Sequence, residues 1–311
     1  MKKILIAGLL RNNENYLPYL FKCIAQSEEH NCGTYEFDYL FLTNNNDDKT
    51  KELLEDQKEF YNINVINKQY DEQILKLPRI EKLRVLREEL LEEIKKKNFQ
   101  YLIMIDSDII FNGKIIEDLI LTYEKSEYDA LSTNTNPTNN PFYYDYFALI
   151  DNEGKKPFDN LKDTIDFTYK VSVPDEEDII KVKSAFAGMY IISKKTLNEK
   201  CPSYTMGCND KNKEECEHVL FNKNLNLGIV KNINPLWLKF NDNKSKYARA
   251  MNKIKKNKSD NRDFISFFTY LFVLFLITIF SLVYFRHKIY IGIGIASFCV
   301  MLILNSFEEF L

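Results

Sequence analysis

Asp106-Ser107-Asp108 is the sole Asp-x-Asp in the 311-residue chain, and it follows the apolar run Tyr101–Ile105. Two carboxylates this close repel each other unless a proton or cation sits between them. A hard divalent cation, Mn²⁺ or Mg²⁺, takes oxygen ligands and can bridge them to a diphosphate, acting as a Lewis acid on the departing phosphate. An acidic turn that only caps a helix is the plainer alternative. Other residues are candidates to complete such a site. Ala7, Gly8 and Arg11 fall where a first strand meets its loop, suited to a nucleotide edge and a phosphate. Thr43, Asn44 and Asn45 end a second strand and are suited to hydrogen-bond a base or ribose. Arg84 and Arg87 lie about one helical turn apart and offer guanidinium forks to phosphate oxygens; Arg84 could equally pair with Glu88 on a solvated face.

Positioning these residues requires alternating strands and helices. The pattern predicts strands over Lys3–Leu9, Phe37–Thr43, Ile63–Asn67 and Tyr101–Ile105, and helices over Asn15–Ala25, Lys49–Phe60 and Arg79–Lys97. Such alternation implies crossover units and a mainly parallel α/β sheet, with ligands at the carboxyl ends of its strands. Beyond Tyr128–Thr133, itself a strand candidate, the pattern is less regular. Tyr143–Asp151 reads as an aromatic strand followed by a turn at Asn152-Glu153-Gly154, and Lys155–Glu177 as a polar loop. Val182–Ser193 reads as one strand, Glu214–Asn222 as a short helix, and Leu227–Leu238 as one or two strands.

The run from the first strand to Asp108 resembles a type A (GT-A) glycosyltransferase, in which the Asp-x-Asp binds metal and the nucleotide-sugar diphosphate. Three further stretches carry the resemblance toward two branches, the fungal mannosyltransferases of mannan and capsule type and the procollagen galactosyltransferases. Ile6-Ala7-Gly8-Leu9-Leu10-Arg11-Asn12-Asn13-Glu14-Asn15-Tyr16-Leu17-Pro18 is similar to the first-strand loop and helix of the galactosyltransferases. Tyr143-Tyr144-Asp145-Tyr146-Phe147, with Asp151-Asn152-Glu153-Gly154, is similar to an aromatic strand and turn in both branches. Ser184-Ala185-Phe186-Ala187-Gly188 resembles the small-residue strand behind the donor sugar.

The resemblance spans roughly residues 1–240 and implies a Rossmann-like GT-A fold, a hexose donor linked to GDP or UDP, and Mn²⁺ or Mg²⁺. It places Asp106, Asp108 and His218 on the metal, and Ser107 and Gly188 beside the donor. Glu217 or Asp145 would orient or deprotonate an acceptor hydroxyl on a glycan, lipid or protein. Adjacent helical residues point about 100° apart, so Glu217 and His218 are not expected to face one spot. A nucleotidyltransferase is the runner-up enzyme, but Gly8-Leu9-Leu10-Arg11 lacks the Gly-rich loop such enzymes carry. A membrane-tethered binding module without turnover is the non-enzymatic alternative.

Charge and hydropathy divide the chain. Its formal net charge of −3 and pI near 5.8 argue against a dedicated nucleic-acid binder. Residues 1–243 form the expected catalytic domain and carry net −9, whereas residues 244–263 form a basic linker in which Lys244–Arg262 carries net +7. Two uncharged runs follow within residues 264–307, Phe264–Phe285 of 22 residues and Ile289–Phe307 of 19. Each helix would reach about 30 Å, enough to cross a bilayer. A basic collar favours the cytosolic leaflet, so the expectation is a C-terminal membrane anchor with the catalytic domain in the cytosol. The apolar run Ile4–Leu10 after Lys2 and Lys3 is too short for a cleavable signal peptide, and the six cysteines are therefore expected to be reduced. Cys201, Cys208, Cys216 and His218 include no Cys-x-x-Cys pair, which argues against structural zinc.

Overall fold

The computed structural model describes residues 1–137, 143–159, 161–172, 178–208 and 215–238. The chain divides into two units, Met1–Met251 and Asn252–Leu311, and every described residue lies in the first. In chain order the elements are β1 (Lys2–Leu10), α1 (Leu17–His30), β2 (Tyr35–Asn44), α2 (Thr50–Asp56), β3 (Ile63–Lys68), α3 (Glu72–Leu75), α4 (Arg79–Lys95), β4 (Tyr101–Ile105), β5 (Ile109–Ile110) and α5 (Lys114–Lys125). There follow β6 (Ala130–Thr133), β7 (Asn136–Pro137), β8 (Ile150–Asp151), α6 (Leu161–Ser172), β9 (Ile179–Ser184), β10 (Met189–Ser193), α7 (Lys194–Lys200), α8 (Glu217–Asn222), β11 (Leu227–Val230) and β12 (Leu236–Trp237).

The large sheet runs β3-β2-β1-β4-β10-β6-β11-β9-β8, and a small one runs β5-β12-β7. Pairing is parallel across β3-β2-β1-β4, as expected from the alternation. Ile4, Leu5, Ile6 and Ala7 of β1 are all buried, as a strand covered on both faces requires. Helix α4 turns Leu86, Leu90, Leu91 and Ile94 inward, the face its spacing marks.

Beyond β4 the sheet is mixed rather than mainly parallel, with only β11 and β6 paired parallel there. Strand β10 runs antiparallel between β4 and β6, and β9 runs antiparallel to both β11 and β8. The expected single strand Val182–Ser193 is really β9 and β10, separated at Ala185–Gly188, where Ala187 and Gly188 take φ of 54° and 69°. That left-handed backbone leaves the sheet, so the apolar run on either side cannot be one strand. Tyr143–Leu149 is turn and irregular backbone rather than a strand; extended pairing resumes only at Ile150–Asp151. Lys155–Glu177, expected as a polar loop, contains α6, and α5 and α7 are helices beyond the expected set. Among the described residues no helix is long and apolar enough to cross a membrane; the basic linker and both uncharged runs lie outside them.

Candidate active site

The carboxyl ends of β1, β2 and β4 open onto a cleft of about 630 Å³, within the range of small-ligand sites. One wall comes from the first crossover units: Leu10 at the end of β1 with Arg11 and Asn13 after it, Asn44 at the end of β2, and Arg79, Lys82 and Arg87 on α4. Asp106, Ser107 and Asp108 occupy the middle. Tyr144, Asp145, Phe147, Phe186, Glu217, His218 and Trp237 form the far wall.

The backbone N–H of Asp106 donates to the carbonyl of Gly188 at 2.9 Å, which ties the Asp-x-Asp turn to the break between β9 and β10. The indole Nε1 of Trp237 donates to Asp108 Oδ2 at 2.8 Å, and the Asp108 carbonyl accepts from the Leu238 N–H. Burial, then repulsion from Asp106, pushes the Asp108 carboxyl up to about 7. Burial raises Asp106 as well, against the pull of Arg87. Two oxygen-donor carboxylates held at a cost to their charged forms fit a hard divalent cation, which would relieve both the burial and the repulsion. Among the described residues no group of three or more His, Cys, Asp and Glu side chains is arranged around a common metal position.

Behind Asp106 lies a buried ion cluster. Arg87 Nε donates to Glu217 Oε1 at 3.0 Å, and Arg87 Nη2 lies 3.6 Å from Asp106 Oδ1. The guanidinium packs over the Phe186 ring at 5.0 Å. Burial opposes charge on Glu217, but His218 and Arg87 outweigh it and hold the carboxyl at about 2. Burial, aided by Arg87, drives His218 down to about 3, so at neutral pH the imidazole is uncharged and Arg87 alone balances Glu217. The His218 ring stacks on Phe186 with centroids 3.9 Å apart, and its Nε2 is 3.7 Å from Glu217 Oε1 without a hydrogen bond.

The structure thus brings Arg11, Asn44, Arg87, Asp106, Ser107, Asp108, Asp145, Glu217 and His218 onto one cleft. Glu217 and His218, the first two residues of α8, both line the cleft but with different neighbours, Glu217 on Arg87 and His218 on the Phe186 ring. The other candidates have structural duties. Ala7 and Gly8 lie inside β1, which continues to Leu10, one residue beyond the expected end at Leu9. A Cβ at Gly8 would collide with the Ile105 carbonyl oxygen, so this glycine serves the close approach of β1 and β4. The Thr43 hydroxyl is fully buried and accepts from Asn46 Nδ2 at 2.6 Å. Asn45, at φ 40°, exchanges hydrogen bonds with the Tyr70 backbone on both sides of its amide. Arg84 does not line the cleft: it donates to Cys208 Sγ at 3.0 Å and to the Glu215 carbonyl at 2.7 Å. The alternative pairing of Arg84 with Glu88 also fails, since Glu88 accepts from Ser203 and the Tyr204 N–H. Gly188 does not line the cleft, but its carbonyl fixes Asp106 and its missing side chain leaves room for Ile109 and the Tyr144 hydroxyl.

Sequence reasoning passed over Asn13, Arg79, Lys82, Phe147 and Trp237. Arg79 was detectable as the first residue of an amphipathic helix aimed at the strand edge. Trp237 was not, because its approach to Asp108 depends on β12 pairing with β5 and β7.

A fold that delivers Asp106 and Asp108 to the same edge as the β1 and β2 loops is that of a GT-A-like glycosyltransferase. The sequence bears this out: the family described as Cryptococcal mannosyltransferase 1 matches residues 3–224, and the chain belongs to that family. No curated protein matches it in sequence. Among solved structures it is similar to TarS 1–349 of S. aureus (15% identity, TM-score 0.48, 76% of this chain and 60% of that one). The same TarS fragment in complex with UDP-GlcNAc aligns at 13% identity and TM-score 0.47, over 78% of this chain and 60% of that one. The mannosyltransferase PcManGT from Pyrobaculum calidifontis, in complex with GDP-Man and Mn²⁺, aligns at 8% identity and TM-score 0.45, over 76% and 56%. The chain spans about 60% of the length of the TarS fragment.

Proposed function

We propose that this chain is a membrane-anchored, metal-dependent glycosyltransferase that moves a hexose from a GDP- or UDP-linked donor to a hydroxyl acceptor. The observation that carries the reading is the pair Asp106 and Asp108 in the middle of the cleft, with cationic Arg11, Arg79 and Lys82 among the residues lining it. Asp106 and Asp108 would hold Mn²⁺ or Mg²⁺, which when bound supplies Lewis-acid neutralisation of the leaving diphosphate. Arg11, Asn13 and Asn44 would hold the nucleoside, and Arg79 and Lys82 would add positive charge for the phosphates. Of the two acidic candidates for the acceptor side, Asp145 is the better proton acceptor. Burial and the Asp106 charge raise it to about 6 against the hydrogen bond it accepts from Ala187, whereas Glu217 at about 2 is a weak base committed to Arg87. Mannose is the first sugar to test, given the family's description.

Incubation of the full chain with a nucleotide-sugar panel and Mn²⁺ tests the reading. Slow donor hydrolysis without acceptor, lost on chelation and in Asp106→Ala, supports it; the absence of turnover and of metal-dependent nucleotide binding with every donor rejects it. The anchor rests on the two uncharged runs, and the cytosolic side on the basic residues of Lys244–Arg262. Alkaline extraction that releases the full chain from membranes would remove the anchor from the proposal.

A further inference from the structure

Asn222 closes α8 and does not line the cleft, yet its side chain joins three segments behind the far wall. Its Oδ1 accepts from the Tyr190 hydroxyl of β10 at 3.0 Å. Its Nδ2 donates to the Ala185 carbonyl at 2.9 Å and to Ser184 Oγ at 3.2 Å, where β9 ends and the break toward β10 begins. A carbonyl oxygen only accepts, so the amide has one orientation. Asn222, Tyr190, Ser184 and Ala185 are all buried. An amide taken out of water costs free energy unless it is hydrogen-bonded, and here both ends are. Such a fully bonded group adds little net stability but specifies one arrangement of its neighbours.

Asn222 and His218 are four residues apart on α8 and share a face. They meet consecutive residues of the break: Asn222 takes the Ala185 carbonyl, and the His218 ring stacks on Phe186. A ring stack alone can slide, whereas the amide fixes the helix along its axis. From β6, Ser132 Oγ donates to the Phe186 carbonyl at 2.8 Å. Two residues further on, the Gly188 carbonyl holds the Asp106 N–H. The placing of α8 is thereby passed to Glu217 and His218 at its start, and through the break to the Asp-x-Asp turn.

We infer that Asn222 is a positioning residue for this site, setting α8 against the β9–β10 break and, through the Gly188 carbonyl, setting Asp106 for the metal. This rests on the metal-dependent transferase reading above. Asn222 acts through other residues, so its loss leaves every group of the cleft in the chain and only misplaces them. The wall of β1, β2 and α4 makes no hydrogen bond to it, so the effect falls on the metal and on turnover and not on the donor's nucleotide.

Trp237 is the one tryptophan of the chain, and its indole donates to Asp108. Its fluorescence in the full-length protein in detergent therefore follows Mn²⁺ onto the carboxylates, with or without turnover. Asn222→Leu keeps the side chain's shape and removes all three hydrogen bonds; Tyr190→Phe removes only one. In Asn222→Leu the Mn²⁺ concentration for half-saturation is expected to rise about tenfold, and at saturating Mn²⁺ kcat to fall about tenfold with the donor KM nearly unchanged. Tyr190→Phe should shift both in the same direction by less. Asn31→Leu is the control: it deletes a buried amide that donates to the Ser27 and Gly113 carbonyls outside the cleft, and should lower the melting temperature alone. Asn222→Leu that melts earlier but binds Mn²⁺ and turns over like the parent overturns the inference. An equal loss in Asn31→Leu also overturns it, because general loosening would then explain the effect. Should circular dichroism show Asn222→Leu unfolded, Tyr190→Phe decides, and parental Mn²⁺ binding and kcat there overturn the inference. A parent whose fluorescence ignores Mn²⁺ sinks the metal reading itself, and the inference with it.

Discussion

The two walls of the cleft are assembled by different rules. The wall of β1, β2 and α4 comes from consecutive crossover units, each loop placed by the strand just before it. The opposite wall gathers Tyr144, Phe186, Glu217 and Trp237 from four separate segments, joined through antiparallel pairing and a left-handed break at Ala187-Gly188. The first wall mixes leucines with polar and basic groups; the second is aromatic, and the buried Arg87–Glu217 pair joins the two. A parallel sheet fixes where its loops emerge, so a donor site can rest on local order. The second wall depends on contacts distant in sequence, and such walls are free to change their ligand without altering the sheet.

The largest expected effect falls where the walls meet. Asp106→Ala and Asp108→Ala are each expected to lower metal-dependent turnover by about 10³-fold or more, the scale of lost charge stabilisation in a transition state. Circular dichroism should remain that of the parent, since both side chains lie at the half-buried edge of the cleft. Full activity in both variants would mean that neither wall is organised around a metal there.

Next in size is the ion cluster that joins Arg87 of the first wall to Glu217 of the second. Arg87→Met leaves Glu217 buried beside Asp106 with no cation, and a broken buried pair costs about 3–5 kcal/mol. Glu217 has its carboxyl lowered from 4.5 to about 2, so its contribution is present above about pH 4.5 and is lost as pH falls toward 2. Chemical denaturation across that window should show the parent losing stability on acidification and Glu217→Gln losing less. Equal acid slopes would show that the Arg87–Glu217 pair does not stabilise this wall.

Gly8→Ala probes the first wall. The added Cβ meets the Ile105 carbonyl, which is backbone and cannot swing aside, so a loss of about 1–3 kcal/mol is expected. If Gly8 touched the nucleotide instead, the variant would keep its melting temperature and lose donor affinity. The same residue shows what sequence could and could not reveal. The strand Tyr101–Ile105 and the start of α4 at Arg79 were legible to the residue, because apolar runs and 3.6-residue periods are local properties. The Asp-x-Asp was legible because it follows such a run. That Gly8 serves the contact between β1 and β4 rather than a ligand was not, since the Ile105 carbonyl beside it comes from a strand nearly a hundred residues away in the chain. Val182–Ser193 has the composition of one strand and is broken only by the backbone at Ala187-Gly188. Arg84 and Arg87 sit one turn apart on the same helix, yet one binds the Cys208 and Glu215 segment and the other binds Glu217. Spacing placed both on a usable face; only tertiary contacts separated their roles.

The smallest effect is the sharpest test of how the walls communicate. Trp237 lies 129 residues from Asp108 in the chain, and its indole N–H donates to Asp108 Oδ2. Groups that hydrogen-bond a metal-binding carboxylate typically contribute 10–100-fold to metal affinity. Trp237→Phe keeps the ring against Tyr144 but removes the donor, so the apparent Mn²⁺ affinity is expected to weaken about tenfold while stability changes little. Titration of Mn²⁺ at saturating donor measures this directly. An unchanged Mn²⁺ requirement would mean that the aromatic wall and the carboxylates act independently, and that the long-range pairing of β12 serves packing alone.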